Sequence, residues 1–326
     1  MKEVKADGRK KISPWLGAPL VLGAFAAALV WLERRRPLRT EGREPKLQRD
    51  ARNLLVAGAG GLVLRFAEKP VAERLAALVE RRGWGLLKIL PLPRWLETAL
   101  AVLLLDYTLY LWHVLTHRAP FLWRFHIAHH ADLELTTTTA LRFHFGELLI
   151  SVAWRAGQIL LIGVSSRALS VWQTLLLLSI MFHHSNARLP YWLERRLVYL
   201  IVTPRMHGIH HSTVRAETDS NWSSGLTIWD RLHGTLRLDV PQAEIEIGVP
   251  AYRAPKDVTL AQTLALPFVR QRPSWWLPDN GDEPRRHVAP HISDYLLSLN
   301  RSARHWDRKL TAEDTEGTEK KMMSDE

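Results

Sequence analysis

Long apolar stretches alternate with charged clusters over the first 185 residues. Residues 12–32 contain no charged side chain and lie between two lysines and a run of one glutamate and three arginines. A bilayer-spanning helix needs about 20 apolar residues, so this stretch predicts a retained transmembrane helix. A cleaved signal peptide is the weaker interpretation, because the stretch is long and no polar cleavage region follows it.

Two further stretches are shorter or interrupted. Residues 53–64 are apolar and Gly-rich, and they predict either a second span or one arm of a buried hairpin. Residues 95–112 predict a third span, although Glu97 and Asp106 interrupt it.

The longest apolar stretch predicts a helical hairpin. Residues 148–182 contain only two charged side chains, Arg155 and Arg167, and Arg167 follows two serines near the middle, where the chain can turn. Two core helices of a soluble protein are the alternative interpretation. If the hairpin enters a membrane, its two flanks lie on the same side, and both flanks carry histidines.

Charge and composition narrow the class of protein. The net charge of +11 belongs to residues 1–182, which contain 25 Lys and Arg against 14 Asp and Glu. A basic half suggests nucleic acid or an anionic membrane surface, and the neighbouring apolar stretches favour the membrane. The loop at 33–52 holds eight Lys and Arg, which favours the cytoplasm, although residues 65–94 hold seven. The absence of cysteine excludes disulfides, Cys-ligated zinc or iron–sulfur clusters, and thiol catalysis.

The histidines have a patterned spacing. Eleven of the 15 lie between residues 113 and 211, as HxxxH at 113–117, HxxHH at 126–130, a pair at 183–184 and HxxHH at 207–211. On a helix, residues i, i+3 and i+4 share one face, so each motif presents imidazoles together. Neutral imidazole is a good ligand for iron, zinc, copper and nickel. A single HxxxH motif is weak evidence, but the set predicts a metal site.

The number of imidazoles favours a dinuclear site. The three motifs together with His184 offer nine imidazoles, whereas a single zinc ion needs about four ligands. Carboxylate-bridged di-iron bundles use Glu-x-x-His, and zinc proteases use HExxH; both patterns are absent. Attack on an unactivated C–H bond needs a redox-active metal such as iron, because zinc has no accessible redox change. A His-rich dinuclear centre at a membrane face therefore predicts oxygen chemistry on a lipid.

An ordered set of motifs resembles the fatty acid hydroxylase / sterol desaturase superfamily over about residues 100–236. The motifs are DY at 106–107, WH at 112–113, HR at 117–118, LWRFH at 122–126, HH at 129–130, FHHSN at 182–186, TPRMH at 203–207, HH at 210–211, ETDSN at 217–221, IWDRL at 228–232 and GT at 234–235. The resemblance implies a membrane-embedded helical fold with a His-ligated di-iron centre on the cytosolic side. It also implies hydroxylation or desaturation of a lipid with O2 and electrons from a reductase chain.

The resemblance carries over nine residues, which are at once the predicted catalytic residues and the predicted metal ligands. They are His113, His117, His126, His129, His130, His184, His207, His210 and His211. Phe145 stands where many relatives have proline, and His183 where relatives often have glutamine. We therefore expect His144 and His183 to lie beside the ligands rather than to bind metal.

Five polar residues are candidates to accept the second N–H of a ligand imidazole. They are Asp106, Glu147, Asp219, Asn221 and Asp230, and the alternative role for each is a surface charge or a helix cap. Asp106 is favoured, because it lies in an apolar stretch where an unpaired charge would be costly.

Taken together, the sequence predicts an all-α integral membrane helical bundle with a cytosolic His-rich metal-binding cap. The predicted segments are membrane helices and basic loops at 1–95, a fatty acid hydroxylase-like catalytic domain at 96–240, a cytosolic extension at 241–310 and a disordered tail at 311–326. The predicted function is hydroxylation or desaturation of a sterol, fatty acyl or alkyl lipid by two iron ions and O2. Electrons would come from a separate ferredoxin or cytochrome, because the chain has no cysteine for a cluster of its own.

Two other function classes stay open at this point. A non-catalytic membrane metal-binding protein is disfavoured because the histidines cluster at the ends of spans and not along them. A nucleic-acid binder rests on the net charge alone, and the apolar stretches in the same half count against it.

Overall fold

The regular structure is entirely helical. The structure is a computed structural model that describes residues 14–40, 42–278 and 281–285. Within these ranges no β-strand forms, and there are three isolated β-bridges. The predicted all-α class is confirmed for this part of the chain. The tail predicted at 311–326 lies outside the described residues, and the predicted segment boundaries stay predictions.

Twelve α-helices and six short helical turns make up the described chain. The α-helices are α1 (Pro14–Arg35), α2 (Lys46–Val63), α3 (Lys69–Arg82), α4 (Arg94–Arg118), α5 (Pro120–His130), α6 (Phe145–Ile162), α7 (Ser166–His184), α8 (Tyr191–Leu197), α9 (Pro204–His210), α10 (Arg215–Thr218), α11 (Ile228–Leu232) and α12 (Leu260–Ala265). A π-helical turn, Leu64–Glu68, joins α2 to α3 without a break. The 3₁₀ turns are Leu86–Lys88, Thr139–Leu141, Gln242–Glu244, Pro255–Val258 and Leu266–Phe268.

The apolar stretches of the sequence become the long helices. The stretch at 12–32 falls on α1 from residue 14 onward, and 95–112 falls on α4. The stretch at 148–182 forms α6 and α7 with a three-residue turn between them, as the hairpin prediction requires. In the described chain, α4 and α6 are long and apolar enough to cross a bilayer.

Local sequence signals set where these helices begin and end. Ser165 caps α7 and Thr203 caps α9, each accepting a hydrogen bond from a backbone N–H of the first turn. Pro120 and Pro204 occupy the first positions of α5 and α9, where the missing N–H costs nothing. Gly163 ends α6 in the left-handed region with φ +83°.

Five helical rods run back and forth between two ends of the bundle. At one end, Glu33 of α1 accepts hydrogen bonds from the backbone N–H groups of Thr137 and Asn186, which lie beside the histidines. At the other end, Ser166 at the start of α7 donates to Glu80 near the end of α3 at 2.7 Å. Thus α1, the continuous α2–α3 rod, α4, α6 and α7 alternate in direction. We refer to these as the histidine end and the glycine end.

The glycine end depends on a close backbone contact. Gly85 has φ +98°, and a Cβ added there would lie 2.3 Å from the backbone nitrogen of Gly163. We expect Gly85→Ala to lower the free energy of unfolding by at least about 2 kcal/mol, because both strain and overlap oppose the methyl group. Thermal unfolding in detergent measures this. Gly58→Ala, in an open helical position of α2, should instead be neutral or stabilising by up to about 1 kcal/mol. Equal unfolding temperatures for the two variants would contradict the packing of this end.

A cluster of buried apolar residues lies between the rods of the bundle. The residues buried between α3, α4, α6 and α7 are mostly small or branched: Ala72, Ala76, Val79, Leu87, Ala101, Leu105, Ile159, Ile162, Val164, Ala168, Leu169 and Trp172. A second cluster packs residues 249–266 against Ile127 on α5, which covers that helix from the side away from the bundle. The histidine end is therefore enclosed by helices and by the chain that follows residue 245.

Candidate metal centre

Eight histidines form two groups of four at the histidine end. Within each group, one ring nitrogen from every residue lies within 4.8 Å of the others. The first group, hereafter the His117 group, is His113, His117, His130 and His210. The second, the His207 group, is His129, His184, His207 and His211. Each group has the number of nitrogen ligands that one metal ion takes in protein sites.

Helical geometry distributes the motifs between the two groups. Neighbouring residues on a helix point about 100° apart, so the paired histidines of one HxxHH motif diverge. His129 joins the His207 group while His130 joins the His117 group. In the last motif, His210 separates in the same way from His207 and His211. The two groups therefore share helices α5 and α9 and lie side by side.

The ninth predicted ligand, His126, lies between the groups. Its ring centroid is 4.9 Å from that of His117 and 5.3 Å from that of His129. Its Nδ1 lies 2.9 Å from Glu147 Oε1, and among the described residues its buried Nε2 has no hydrogen-bond partner. The structure thus brings all nine predicted histidines into one cluster, and their role as ligands stays a prediction.

Backbone carbonyls fix the proton position on three of these imidazoles. Nδ1 of His113 lies 2.7 Å from the carbonyl oxygen of Trp222, and Nδ1 of His210 lies 2.8 Å from that of Ser220. Nδ1 of His184 lies 2.8 Å from the carbonyl oxygen of Ile180. A carbonyl oxygen can only accept, so Nδ1 carries the hydrogen and Nε2 keeps its lone pair. This is the tautomer that outer hydrogen bonds set in metal-ligating histidines.

The Nε2 atoms of the His207 group lie at hydrogen-bond distance from one another, but the single lone pair on Nε2 of His184 faces two such neighbours. Nε2 of His184 is 3.0 Å from Nε2 of His129 and 3.0 Å from Nε2 of His207. Nε2 of His207 is a further 3.1 Å from Nε2 of His211. The spacing therefore fits ligands around a common metal ion.

The His117 group also fits a bound metal ion, because several of its buried ring nitrogens have no hydrogen-bond partner in the described chain. In the part of the chain that the structure describes, both ring nitrogens of His117 and Nε2 of His130 and His210 are buried without a hydrogen-bond partner. Burying an unpaired polar atom costs about 1–3 kcal/mol. One ring nitrogen of each residue lies near those of the others in the group, and metal coordination would satisfy these nitrogens.

Burial keeps the imidazoles neutral, which is the ligating form. Burial lowers the pKa of His210 to about 3 and lowers the pKa values of His129, His130 and His207 well below the usual value. Mutual repulsion of the neighbouring imidazolium charges lowers the last three further. No proton has to be displaced from the lone pairs at neutral pH.

The carboxylate of Glu147 contacts the predicted ligand His126, and its removal should weaken metal binding. It lies at the start of α6 and orients His126 through Nδ1. Loss of such an outer partner costs about 10–100-fold in metal affinity, so we expect that loss in Glu147→Ala, measured by competition with a chelator. Glu147→Gln keeps an oxygen acceptor and should recover part of the affinity. Glu73→Ala, whose side chain is 64% exposed, is the matched control. Unchanged affinity in Glu147→Ala would contradict the role of His126.

The other four predicted companions do not contact an imidazole, and the prediction for Asp106 was wrong. Asp106 accepts from the backbone N–H of Leu226 at 3.0 Å and from Trp229 Nε1 at 2.7 Å. It therefore ties α4 to the segment before α11. Asp219 lies 3.4 Å from Arg118 in a partly exposed ion pair.

Asp230 and Asn221 act on the imidazoles through the backbone. Asp230 accepts hydrogen bonds from the N–H groups of Trp222 and Ser223, at 2.9 and 3.0 Å. Asn221 adopts φ +51°, and its side-chain amide donates to the carbonyl of Met206. Together they shape the segment whose carbonyls receive the Nδ1 hydrogens of His113 and His210.

His144 and His183, which we expected to lie beside the ligands, belong to neither group of four. His144 caps α6: its Nδ1 accepts from the N–H of Gly146 at 2.9 Å, and its Nε2 lies 3.1 Å from the carbonyl of Leu264. Both nitrogens are thus occupied, as the interpretation of a neighbouring non-ligand residue requires. His183 is hydrogen-bonded to the backbone of Ser224, and its ring centroid lies 4.1 Å from that of His207 with the two rings tilted by 51°.

A network of buried charged and polar side chains lies next to α5, and the sequence pattern did not predict it. Asp132 accepts hydrogen bonds from Arg52 at 2.9 Å, from Asn53 at 2.8 Å and from Thr139 at 2.8 Å. Arg142, fully buried, donates to the carbonyl of Ala128 within the HxxHH helix. The network joins α2 to the chain after His130, and it includes Thr139 from the run of four threonines at 136–139. In the sequence, this network is visible as a set of charged residues that flank the histidine motif.

A cavity of about 960 Å³ leads away from the histidines between the long helices. Six of the histidines line it, including His126 and His184. Its wall continues along α2, α3, α6 and α7 as far as Ser166, near the glycine end. The 18 residues from His184 back to Ser166 correspond to roughly 27 Å of helix. A long, narrow molecule that is largely apolar fits this space.

Comparison with known proteins gives a consistent result. The family model for fatty acid hydroxylase matches residues 98–235, which contain all nine predicted ligands. The chain is 32% identical over 180 residues to ornithine lipid hydroxylase OlsE of Rhizobium tropici, a match that covers 55% of this chain and 52% of that protein. It is 27% identical over 173 residues to alkylglycerol monooxygenase of Xenopus tropicalis, covering 49% and 35%. It is 29% identical over 148 residues to a cholesterol 25-hydroxylase-like protein of Danio rerio, covering 44% and 56%.

These matches are partial in length. The chain spans about half the length, or less, of the curated relatives named here. No solved structure matches it.

Proposed function

We propose that the chain is a membrane di-iron oxygenase that hydroxylates a lipid, because its residues 98–235 match the family model for fatty acid hydroxylase. The observation that carries this proposal is the pair of four-histidine groups at one end of a long cavity. Two groups of four ligands support two metal ions rather than one. The relatives named above are hydroxylases or monooxygenases, which favours hydroxylation over desaturation.

Iron is the metal that fits the proposed chemistry. Bound iron supplies the redox change needed to activate O2, which zinc cannot supply. The overall reaction consumes a C–H bond, one O2, two electrons and two protons, and it yields an alcohol and one water. Because the chain has no cysteine, it has no iron–sulfur cluster with Cys ligands, and we assign the electrons to a separate ferredoxin or cytochrome.

The residues of the site hold the metals and exclude water. Nε2 lone pairs of His113, His184 and His210 are aimed inward by the three carbonyls that receive their Nδ1 hydrogens. Trp123 stacks on Trp275 at 5.5 Å and lies 5.1 Å from His117, and neither tryptophan lines the cavity. We expect the substrate to approach the histidines along the apolar wall of the cavity.

Exposed apolar side chains support a position within a bilayer. Only 28% of the apolar window in each of α4 and α6 is buried, so most of it is at least partly accessible. Large apolar residues along the rods are exposed: Trp31 60%, Leu55 58%, Leu62 61%, Phe66 71%, Trp95 69% and Leu161 77%. Contiguous apolar surface of this kind marks a membrane or protein interface.

The distribution of charge supports a cytosolic histidine end. Between α1 and α2, the connecting residues 36–45 at the histidine end hold Arg36, Arg39 and Arg43. Residues 83–93 at the glycine end hold Lys88 alone. Short loops rich in Lys and Arg stay in the cytoplasm.

Incorporation of labelled oxygen tests the proposed function. Membranes containing the iron-loaded protein, an electron donor and a total lipid extract are incubated under ¹⁸O2, and the lipids are analysed by mass spectrometry. We expect a hydroxylated lipid containing one ¹⁸O atom, and none when only the water is labelled. The same membranes carrying His117→Ala should give no product. A metal-loaded, reducible protein that oxidises no lipid would favour the alternative of a non-catalytic membrane metal-binding protein.

A further inference from the structure

A buried ion pair lies on the cavity wall, away from the histidines. Arg155 on α6 and Glu68 in the π-helical turn both line the cavity, and each side chain is 11% exposed. Buried ion pairs cost desolvation energy, and apolar replacements are often neutral or stabilising. A charged pair inside a membrane bundle is therefore a functional site by default. Neither residue contacts the histidine groups.

Neighbouring residues hold Arg155 in one orientation. Its Nη1 donates to Gln158 Oε1 at 2.5 Å, and Gln158 Nε2 donates to Thr108 Oγ1 on α4 at 2.5 Å. The guanidinium carbon lies 4.1 Å from the ring centroid of Trp172 on α7. Three helices thus fix the guanidinium, as expected of a binding group and not of a solvated side chain.

The pair leaves a donor and an acceptor side by side. Arg155 Nε lies 3.6 Å from Glu68 Oε1, which is too long for a hydrogen bond. Within the described chain, this Nε–H is buried and has no hydrogen-bond partner. A buried N–H beside a carboxylate offers one hydrogen bond to an incoming oxygen and accepts one from an incoming hydrogen. Because the two charges cancel, the matching group is neutral.

We propose that Arg155 and Glu68 form a recognition site for a neutral lipid group that both accepts and donates a hydrogen bond. A hydroxyl group and a secondary amide share this chemistry. The oxygen of the group receives the Nε–H of Arg155, and its O–H or N–H donates to Glu68. This inference deepens the proposed function and rests on it in taking the cavity to be a lipid site.

The position of the pair predicts which carbon reacts. Arg155 is eight residues along α6 from Glu147, and Glu147 contacts His126. Arg155 and Glu147 are therefore about 12 Å apart along the helix axis. An extended alkyl chain advances roughly 1.3 Å per carbon, given C–C bonds of about 1.5 Å. The reacting carbon is therefore expected about nine or ten carbons from the recognised group.

Binding of four chain-matched probes tests the recognition site. The probes are N-methyloctadecanamide, 1-octadecanol, methyl octadecanoate, which only accepts, and octadecane, which does neither. Dissociation constants are measured with the full-length protein in nanodiscs by equilibrium dialysis. We expect the amide, the alcohol or both to bind about tenfold more tightly than the ester and the alkane. Preference for one of the two identifies the source of the recognised group. Equal affinity for all four would overturn the proposal.

Variants show whether the ion pair causes the preference. Arg155→Met should abolish it by weakening the amide or alcohol about tenfold, with little change for octadecane. Arg167→Met, an exposed arginine on α7 outside the cavity wall, is the matched control and should keep the preference. If Arg155→Met fails to fold because Glu68 is left alone, the double variant Arg155→Met/Glu68→Leu removes both charges and serves instead. A preference that survives removal of the pair would overturn the proposal.

The result is separable from that of the proposed function. Iron content and ¹⁸O incorporation report on the oxygenase, whereas the probe preference requires neither iron nor turnover. A protein without iron that still selects the amide or alcohol through Arg155 would refute the oxygenase and retain the recognition site. An active oxygenase without that selection would refute the site alone.

Discussion

Replacing His117 with alanine is expected to remove one metal ion and leave the other in place. His117 belongs to the first group of four and has no nitrogen in the second. His207→Ala should do the reverse, because His207 lies only in the second group and contacts His184 and His211. Metal content by mass spectrometry should therefore fall from about two ions per chain to about one in each variant, and to near zero in the double variant.

Activity should respond differently from metal content. If both metals act as one catalytic unit, each single variant loses as much activity as the double variant, at least about 10³-fold in each case. His233→Ala is the control, since His233 is exposed, belongs to neither group and contacts Tyr107 at 3.3 Å and the ring of Tyr110 at 4.9 Å. Loss of both metals in each single variant would contradict two separate groups. Loss of only one metal with activity retained would contradict a shared centre.

Removing the carboxylate of Asp132 is expected to destabilise the protein strongly. Asp132 is fully buried and receives hydrogen bonds from Arg52, Asn53 and Thr139. Asp132→Ala leaves these donors unpaired, and breaking a buried pair costs about 3–5 kcal/mol. Unfolding in detergent should show a loss of that size. Metal affinity should also fall, because Asp132 anchors the chain that directly follows His130.

Glu246 provides a matched surface control. It makes two ion pairs, with Arg43 at 2.8 Å and with Arg253 at 2.6 Å, but its side chain is 49% exposed. Exposed ion pairs contribute about 0–1 kcal/mol, so Glu246→Ala should cost less than about 1 kcal/mol. A cost for Asp132→Ala no larger than that of Glu246→Ala would show that the buried network does not support the fold.

The motif spacing predicted the members of the histidine cluster but not its division into two groups. HxxxH and HxxHH bring eight imidazoles together within single turns of helix, and the pair at 183–184 adds His184, so the nine residues could be predicted from the sequence. The separation of His129 from His130 depends on which helices face each side of α5. That arrangement is set by packing between distant parts of the chain, which local spacing does not encode.

The residues that hydrogen-bond to the histidines were harder to predict than the histidines themselves. Glu147 lies 21 residues from His126 and Trp222 lies 109 residues from His113, so only the fold reveals these contacts. Asp106 was favoured because a charge in an apolar helix needs a partner, and that reasoning was sound. The partner is Trp229 and the backbone of Leu226, and not an imidazole.

The same limitation applies to the cavity wall. Arg155 was visible as one of two charges in a long apolar stretch, and Glu68 as one of many charges before it. Nothing in their spacing indicates that they meet. The contact arises because α3 packs along α6, with the π-helical turn before α3 carrying Glu68. Apolar periodicity predicted the helices, and their mutual order had to come from the structure.

Iron content and Mössbauer spectra of the purified protein test the central claim most directly. The two four-histidine groups predict about two irons per chain, with spectra of two spin-coupled high-spin sites in a nitrogen-rich environment. His129→Ala should lower the iron content, and His233→Ala should not. A protein that binds a single zinc ion, or one that holds no iron after expression and purification with iron supplied, would contradict a di-iron centre.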